Sequence, residues 1–236
     1  MNALSRGEVE SRTLQEALTV DFPTLLAHIA PAAKAPIWEK SIVRRMQQAA
    51  EAIGPKPAKA LLRHPSDTVR GIAAYALMLN PNLTLARRLD ALRRLADDAH
   101  FGVREWAWMA VRPHLVAQLP ESIALLRPWV DSPSERIRRF AVEATRPRGV
   151  WCAHAGLLKA QPEMGLPLLE PLRADPAKYV QDSVANWLND AAKSQPPFVL
   201  ALCKRWRKES PLPATERICH RAQRSLRPTE PAVSGA

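Results

Sequence analysis

One short pattern returns along this chain at a fixed distance, and it limits the fold more than any other feature. Val69-Arg70-x-x-Ala73-x-x-Ala76 comes back as Val103-Arg104-x-x-Ala107-x-x-Ala110 and again as Ile137-Arg138-x-x-Ala141-x-x-Ala144, each step being 34 residues. A looser fourth copy, Val180-Gln181-x-x-Val184-x-x-Trp187, follows 43 residues after the third. Apolar residues at i, i+4 and i+7 share one helix face, and small alanines let that face pack closely on a partner. Each copy follows a turn-forming segment: Pro65-Ser66-Asp67, Asp97-Asp98-Ala99-His100, Asp131-Ser132-Pro133 and Asp175-Pro176. Self-similarity at this period in helical sequence means one helix pair per repeat, with a core built by stacking neighbours.

The rest of the chain fits that pattern. It has only 8 Gly, few β-branched runs and abundant Ala, Leu and Arg, while 22 Pro punctuate it at short intervals. Such spacing predicts helices of about ten to eighteen residues joined by tight turns. The expected fold is all-α, a right-handed solenoid of stacked HEAT-like antiparallel helix pairs. It is expected to form a single domain over residues 1–226, with 227–236 a disordered tail. Directly after the repeat's Arg or Gln stand Gly71, Glu105, Arg139 and Asp182. Equivalent positions in stacked repeats line up, so this row is expected to line a groove, the alternative being ordinary ion pairs between repeats.

Charge supplies the first functional direction. Lys and Arg number 34 against 23 Asp and Glu, giving +11, and a chain this basic suits a polyanionic partner, above all nucleic acid. With 47% hydrophobic residues and seven Trp, the bulk of the chain can form a core. No uninterrupted apolar run reaches the ~18 residues of a membrane helix, and the N-terminus lacks a basic-then-apolar layout, so no membrane partner and a cytoplasmic, nucleoid-associated address are expected. Cys152, Cys203 and Cys219 form no C-x-x-C, and the six His show no metal-ligand spacing, so neither a disulfide framework nor a zinc site is expected. A monomer would suffice for this fold.

Phosphate loops, dinucleotide fingerprints, zincin helices and hydrolase elbows are all missing from the sequence. What remains is an unusual set of Trp and carboxylates. Trp106, Trp108, Trp151 and Trp187 fall in or beside the repeats, and Trp151 follows the turn Arg146-Pro147-Arg148-Gly149. Asn186, Asn189 and Asp190 crowd an apolar helical stretch, where short polar groups are costly unless bonded or used. Two readings stand: a capping or helix-bending network, or an oriented carboxylate held by amides.

Two long motifs then carry a specific resemblance. Arg138-Arg139-Phe140-Ala141-Val142-Glu143-Ala144-Thr145-Arg146-Pro147-Arg148-Gly149-Val150-Trp151 resembles the R-R-x-A-x-E-x-T-R-P-R-x-x-W signature of AlkC-type alkylpurine DNA glycosylases. Asp175-Pro176-Ala177-Lys178-Tyr179-Val180-Gln181-Asp182-Ser183-Val184-Ala185-Asn186-Trp187-Leu188-Asn189-Asp190 is similar to the same family's D-P-x-x-Y-V-x-x-S-V-A-N-x-L-N-D stretch. With Val111-Arg112-Pro113, the resemblance covers roughly residues 60–205. It implies a HEAT-like protein that grips damaged duplex DNA in a basic groove and cuts the N-glycosidic bond of cationic bases such as 3-methyladenine, without metal or cofactor. Carried across by position, Asp190 is the carboxylate beside the deoxyribose, Trp151 a cavity-wall aromatic and Arg139 a phosphate contact.

Two departures accompany it. The family's E-F-A-x-R-P-x-L element stands here as Trp108-Met109-Ala110-Val111-Arg112-Pro113-His114-Leu115, so the acidic residue aligns with Trp108; Glu105, one turn earlier, is the candidate second carboxylate. Trp187 stands where the family commonly has Asn. Trp108 and Trp187 join Trp151 as candidate lesion-binding aromatics, and Arg104, Arg138 and Arg148 join Arg139 as candidate phosphate ligands. Arg146, Lys193 and the basic runs 204–208 and 217–227 widen that expected grip. The sequence expectation is thus a base-excision DNA repair hydrolase acting on alkylation damage. The alternatives are a catalytically inactive HEAT-like protein that binds DNA structures, and a HEAT-type protein adaptor.

Overall fold

The structure is a computed structural model that describes residues 2–227; residues 228–236, nearly all of the expected disordered tail, lie outside the described residues. The chain divides into two compact units, Met1–Leu125 and Leu126–Ala236, where the sequence suggests one domain over 1–226.

The first unit holds α1 (Ala3–Arg6), α2 (Leu14–Leu18), α3 (Phe22–Ile29), α4 (Ile42–Ile53), α5 (Ala58–Leu61), α6 (Asp67–Met78), α7 (Leu85–Ala96) and α8 (Phe101–Ala117), and α9 (Leu119–Leu126) closes it. The second holds α10 (Glu135–Glu143), α11 (Gly156–Ala160), α12 (Leu166–Leu169), α13 (Lys178–Ala192), α14 (Pro196–Glu209) and α15 (Pro213–Ala222), joined by short 3₁₀ turns. No strand occurs among the described residues. The all-α expectation is met, and the repeats are stacked helices. In the first unit α6 packs on α8 and on α4; in the second α13 packs on α10 and on α15.

The sequence pattern sets the register of these helices. The repeat's Val or Ile is the third residue of α6, α8, α10 and α13 in turn. The stripe below it is core throughout: Val69, Ala73 and Ala76, Val103, Ala107 and Ala110, Ile137, Ala141 and Ala144 are all buried. In the fourth copy Trp187 replaces the last small residue, yet it too has no exposed surface. Gly165 makes the room: a Cβ there would sit 2.4 Å from the Trp187 ring. Gly71 does the same for Trp106, at 2.5 Å.

The fourth helical residue, the repeat's arginine, closes the turn before its own helix. Arg70 Nη1 donates to the carbonyls of His64 (2.7 Å) and Pro65 (3.1 Å), and its Nε and Nη2 fork onto Asp98 at 3.1 and 3.2 Å. Arg138 repeats both halves, with Nη1 on Ser132 and Pro133 (2.9 and 3.1 Å) and Nε and Nη2 on Asp175 (2.6 and 3.0 Å). Arg104 Nη1 takes the carbonyls of Asp98 and Ala99 at 2.8 and 2.9 Å. Gln181, the substitute in the fourth copy, donates Nε2 to the Asp175 carbonyl at 2.7 Å. Asp98 and Asp175 precede the next repeat helix of their units, so Arg70 and Arg138 each fasten one repeat to the next. Charge-assisted, forked bonds of this kind are about twice as strong as neutral ones.

Candidate functional site

The second unit carries a buried charge cluster at the junction of α10 and α13. Glu143 ends α10, and Arg146 follows three residues later in the turn toward Pro147. Arg146 uses two edges of its guanidinium: Nη1 donates to Glu143 Oε1 (2.7 Å) and Nε donates to Asp190 Oδ2 (2.9 Å). The Ser183 hydroxyl donates to Glu143 Oε2 at 2.6 Å, and Arg139 Nη2 lies 3.5 Å from the same oxygen. Arg139 in turn sits over the Tyr179 ring, 4.8 Å from its centre. Glu143 is 4% exposed and Asp190 is 3% exposed.

The two carboxylates are therefore not equivalent. Both oxygens of Glu143 are engaged. Burial alone would raise its pKa, but Arg139, Arg146 and the Ser183 hydroxyl outweigh that and hold it below the ordinary carboxylate value. The same burial would lower Arg146, and the two carboxylates hold it above the ordinary arginine value. Asp190 has one oxygen, Oδ2, anchored by Arg146. The result is a buried carboxylate held in a fixed orientation by a guanidinium that Glu143 holds from its other edge. Arg148 completes the surroundings, donating Nε to the Asp190 carbonyl (3.4 Å) and Nη2 to the Ser194 hydroxyl (2.8 Å).

The predicted aromatics divide into one exposed and two buried residues. Trp151 is 50% exposed on the turn after α10 and adopts φ +57°, the left-handed region that a bulky residue enters only at a cost of about 1–2 kcal/mol. Trp187 is a core residue instead of the expected lesion wall, because its ring fills the space over Gly165 and its Nε1 donates to the Thr145 carbonyl at 3.0 Å. Trp108 is 2% exposed in α8, and its Nε1 donates to Glu105 Oε2 at 2.8 Å. Glu105, the candidate second carboxylate, thus has an intrahelical partner within the first unit.

The arginines separate as sharply. Arg138 and Arg104, expected on phosphates, are bound to turn carbonyls, and Arg138 also to Asp175, because the fourth position of a repeat helix sits under the preceding turn. Arg139 is directed to Glu143 and Tyr179, so it orders the buried cluster. Arg148 has only neutral acceptors. In the row expected to line a groove, Gly71 is packed under Trp106, and Asp182 accepts from Arg217 Nη2 of α15 at 2.7 Å and pairs with Arg221 of the same helix, whose Nε lies 3.0 Å away. For Asp182 the ion-pair alternative describes what is found.

Sequence reasoning passed over Glu143 and Ser183. Both carried a signal: Glu143 lies between buried Val142 and Ala144, and it is spaced i+4 from Arg139 and i−3 from Arg146. A carboxylate in the apolar register with two arginines one turn away requires burial as a pair. Among the described residues no group of three His, Cys, Asp or Glu side chains is placed to hold a metal ion, and no helix is long and apolar enough to cross a membrane.

Residues 54–146 match the model for HEAT repeats. The structure of Pseudomonas fluorescens alkylpurine DNA glycosylase AlkC, bound to DNA containing an abasic site analog, aligns with a TM-score of 0.68 and 26% identity over 87% of this chain and 60% of that one. The chain has an AlkC-like HEAT-repeat fold. The uncharacterized protein YhaZ of Bacillus subtilis is 34% identical over 142 residues, 60% of this chain and 38% of that protein. The chain therefore spans under two thirds of the length of either relative. The HEAT match ends at Arg146, so α13 with Asp190 lies beyond it.

Proposed function

We propose that the chain excises cationic N3- or N7-alkylated purines, the 3-methyladenine class, from duplex DNA by hydrolysing the N-glycosidic bond. The observation that carries this reading is Asp190: a buried carboxylate with Oδ2 fixed by Arg146, in an AlkC-like fold of a strongly basic chain. An alkylated purine already bears positive charge, so it departs with the bond's electron pair as a neutral base and needs little help from a general acid. The demand falls on the sugar, which becomes oxocarbenium-like. A preorganised carboxylate stabilises that charge and orients the water that attacks the anomeric carbon. Arg146, Glu143, Ser183 and Arg139 act as positioning residues that keep Asp190 in place.

Trp151 fits the role of lesion-facing aromatic. It is exposed and held in an unfavourable backbone conformation, and such strain collects at functional sites. A cation over its ring gains about 0.5–2 kcal/mol over a neutral base. Arg148, which donates to the Asp190 carbonyl and the Ser194 hydroxyl beside the buried carboxylate, is the phosphate ligand of this reading. The protein is read as a cytoplasmic monomer acting on double-stranded DNA, with residues 1–226 as one repeat array.

The experiment is release of free base from methylated duplex DNA by wild type and Asp190→Asn in buffer containing a chelator. Release of 3-methyladenine that falls by about 10²–10³ in the variant, the size of losing one preorganised charge, is the expected result. One observation favours a second reading, DNA binding without chemistry: Trp108 occupies the place of the family's acidic residue and holds Glu105 by a hydrogen bond. Tight duplex binding by the wild type with no base release would select it.

A further inference from the structure

On α13 Asp190 has Asn186 one turn before it, and Ser194 follows one turn after it, in the turn that closes the helix. Positions 186, 190 and 194 are spaced i, i+4 and i+8, and each is bound by a different arginine. Arg146 holds Asp190, Arg148 donates to Ser194 Oγ, and Arg224 Nη2 donates to Asn186 Oδ1 at 2.9 Å. Only the central arginine meets a carboxylate.

Arg224 stands on the 3₁₀ turn Arg224–Leu226, directly after α15. That turn is fastened to α13 a second time, by the Ser225 N–H donating to Asn189 Oδ1 at 3.1 Å, while Arg224 Nη1 donates to the Arg221 carbonyl at 3.1 Å. The side chain is exposed but not loose. The local charges leave it unneutralised: Arg139 and Arg146 balance Glu143 and Asp190, and Arg217 and Arg221 share the single carboxylate of Asp182. Arg148 and Arg224 are additional, each on neutral acceptors. Partial burial and the nearby Arg221 and Arg146 guanidiniums pull Arg224 below the ordinary arginine value, against the attraction of Asp190 and Asp182. An excess of fixed positive charge on one helix face is the arrangement that binds a polyanion.

We propose that Arg224 binds a backbone phosphate of the DNA at the Asp190 site, and that the C-terminal turn 224–226 is part of that interface. Arg224 and Arg148 then hold one strand on either side of the nucleotide whose sugar meets Asp190. From Asn186 along α13 and through its closing turn to Ser194 is about 12 Å at helical rise, the axial rise of about three to four nucleotides of a strand, so one run of phosphodiesters reaches both. The inference rests on the DNA reading given above, and it assigns a ligand to a residue that the repeat pattern does not mark.

The test uses the full chain and a fluorescent duplex containing an abasic-site analogue, with equilibrium binding followed from about 50 to 200 mM salt, the range in which phosphate contacts dominate. Arg224→Gln is expected to weaken binding about 10-fold at the low-salt end and to reduce the slope of log affinity against log salt by about 1. Arg224→Lys should keep the slope, and both variants should melt at the wild-type temperature. Wild-type affinity and slope in Arg224→Gln would overturn the proposal, as would a loss of affinity with an unchanged slope and a lowered melting temperature, which marks a structural role. A wild type that fails to bind the duplex would instead bring down the DNA reading itself, and this inference with it.

Discussion

Helices α8 and α13 carry the same repeat stripe and fill their remaining positions differently. Around Val103, Ala107 and Ala110, α8 buries Trp106, Trp108, Met109 and Val111 with one charged side chain, Arg112, beside them; its one carboxylate, Glu105, stays half-buried on the Trp108 indole. Around Val180, Val184 and Trp187, α13 buries Gln181, Ser183, Asn189 and Asp190. Apolar burial of the α8 kind stabilises by about 25 cal/mol per Å². Burying ion pairs of the α13 kind returns little net stability, since desolvation offsets most of the attraction. The carboxylates that α10 and α13 bury together are thus the better candidate for function than the half-buried Glu105 of α8, although the first unit buries charges of its own at Asp67, Arg70, Arg88 and Arg112.

That contrast is sharpest at the carboxylates. Glu143→Ala leaves Arg139 and Arg146 facing a buried void without their partner, and removing one member of a buried pair costs about 3–5 kcal/mol. Glu105→Ala removes a half-buried side chain and the acceptor of the Trp108 Nε1–H, and should cost about 1–2 kcal/mol. Urea unfolding of the two variants checks this directly; equal costs would show that the α13 cluster is no more integral than an ordinary surface contact.

The turn arginines come next. Arg70→Ala and Arg138→Ala each lose two carbonyl bonds and a forked carboxylate, and should destabilise by about 1.5–3 kcal/mol. Neither should change the salt slope of DNA binding, in contrast to Arg224→Gln. A slope that fell in Arg138→Ala would return this residue to the phosphate-binding set in which its sequence placed it.

Those arginines show where the sequence was legible. Periodicity located α6, α8, α10 and α13 and their buried stripes, because apolar spacing is a property of one helix and needs no knowledge of its neighbours. The family motifs led to Asp190 and Trp151 for the same reason: they are local. The partners of each arginine are not local. Arg138 is bound to Asp175 and Arg146 to Asp190, across separations of 37 and 44 residues. An arginine in a basic sequence looks identical whether it ends on a carbonyl or on a phosphate. Trp187 misled in a related way, since the space that receives it is created by Gly165, on another segment.

Acid should expose what Glu143 contributes. Glu143 has a pKa lowered by folding, so its contribution to stability is full above the ordinary carboxylate value and is lost as pH falls through the lowered one. Wild type should therefore lose its advantage over Glu143→Gln as the solution is acidified. Unfolding midpoints at neutral pH and at about pH 3, below the ordinary carboxylate value, measure that gap. A wild-type advantage that persists unchanged in acid would mean that the folded state does not favour ionised Glu143.

The smallest effect on stability should come from Trp151, and that is what makes it informative. The side chain is half in solvent, and its left-handed backbone already costs the fold something, so Trp151→Gly exchanges relief of that strain against the greater chain entropy of glycine. The two terms are similar in size, and the net change should stay within about 0.5 kcal/mol. A Trp buried like Trp108 would cost about 3–5 kcal/mol on truncation. If Trp151 faces the charged lesion, the same substitution should nonetheless slow base release by about 2–30-fold, the kinetic equivalent of about 0.5–2 kcal/mol of cation–π attraction. Single-turnover release beside a melting curve reads both quantities from one preparation. Loss of release without loss of stability would place Trp151 with Asp190 on the functional side of the comparison; a wild-type rate would leave it as an exposed turn residue whose strain has no part in recognition.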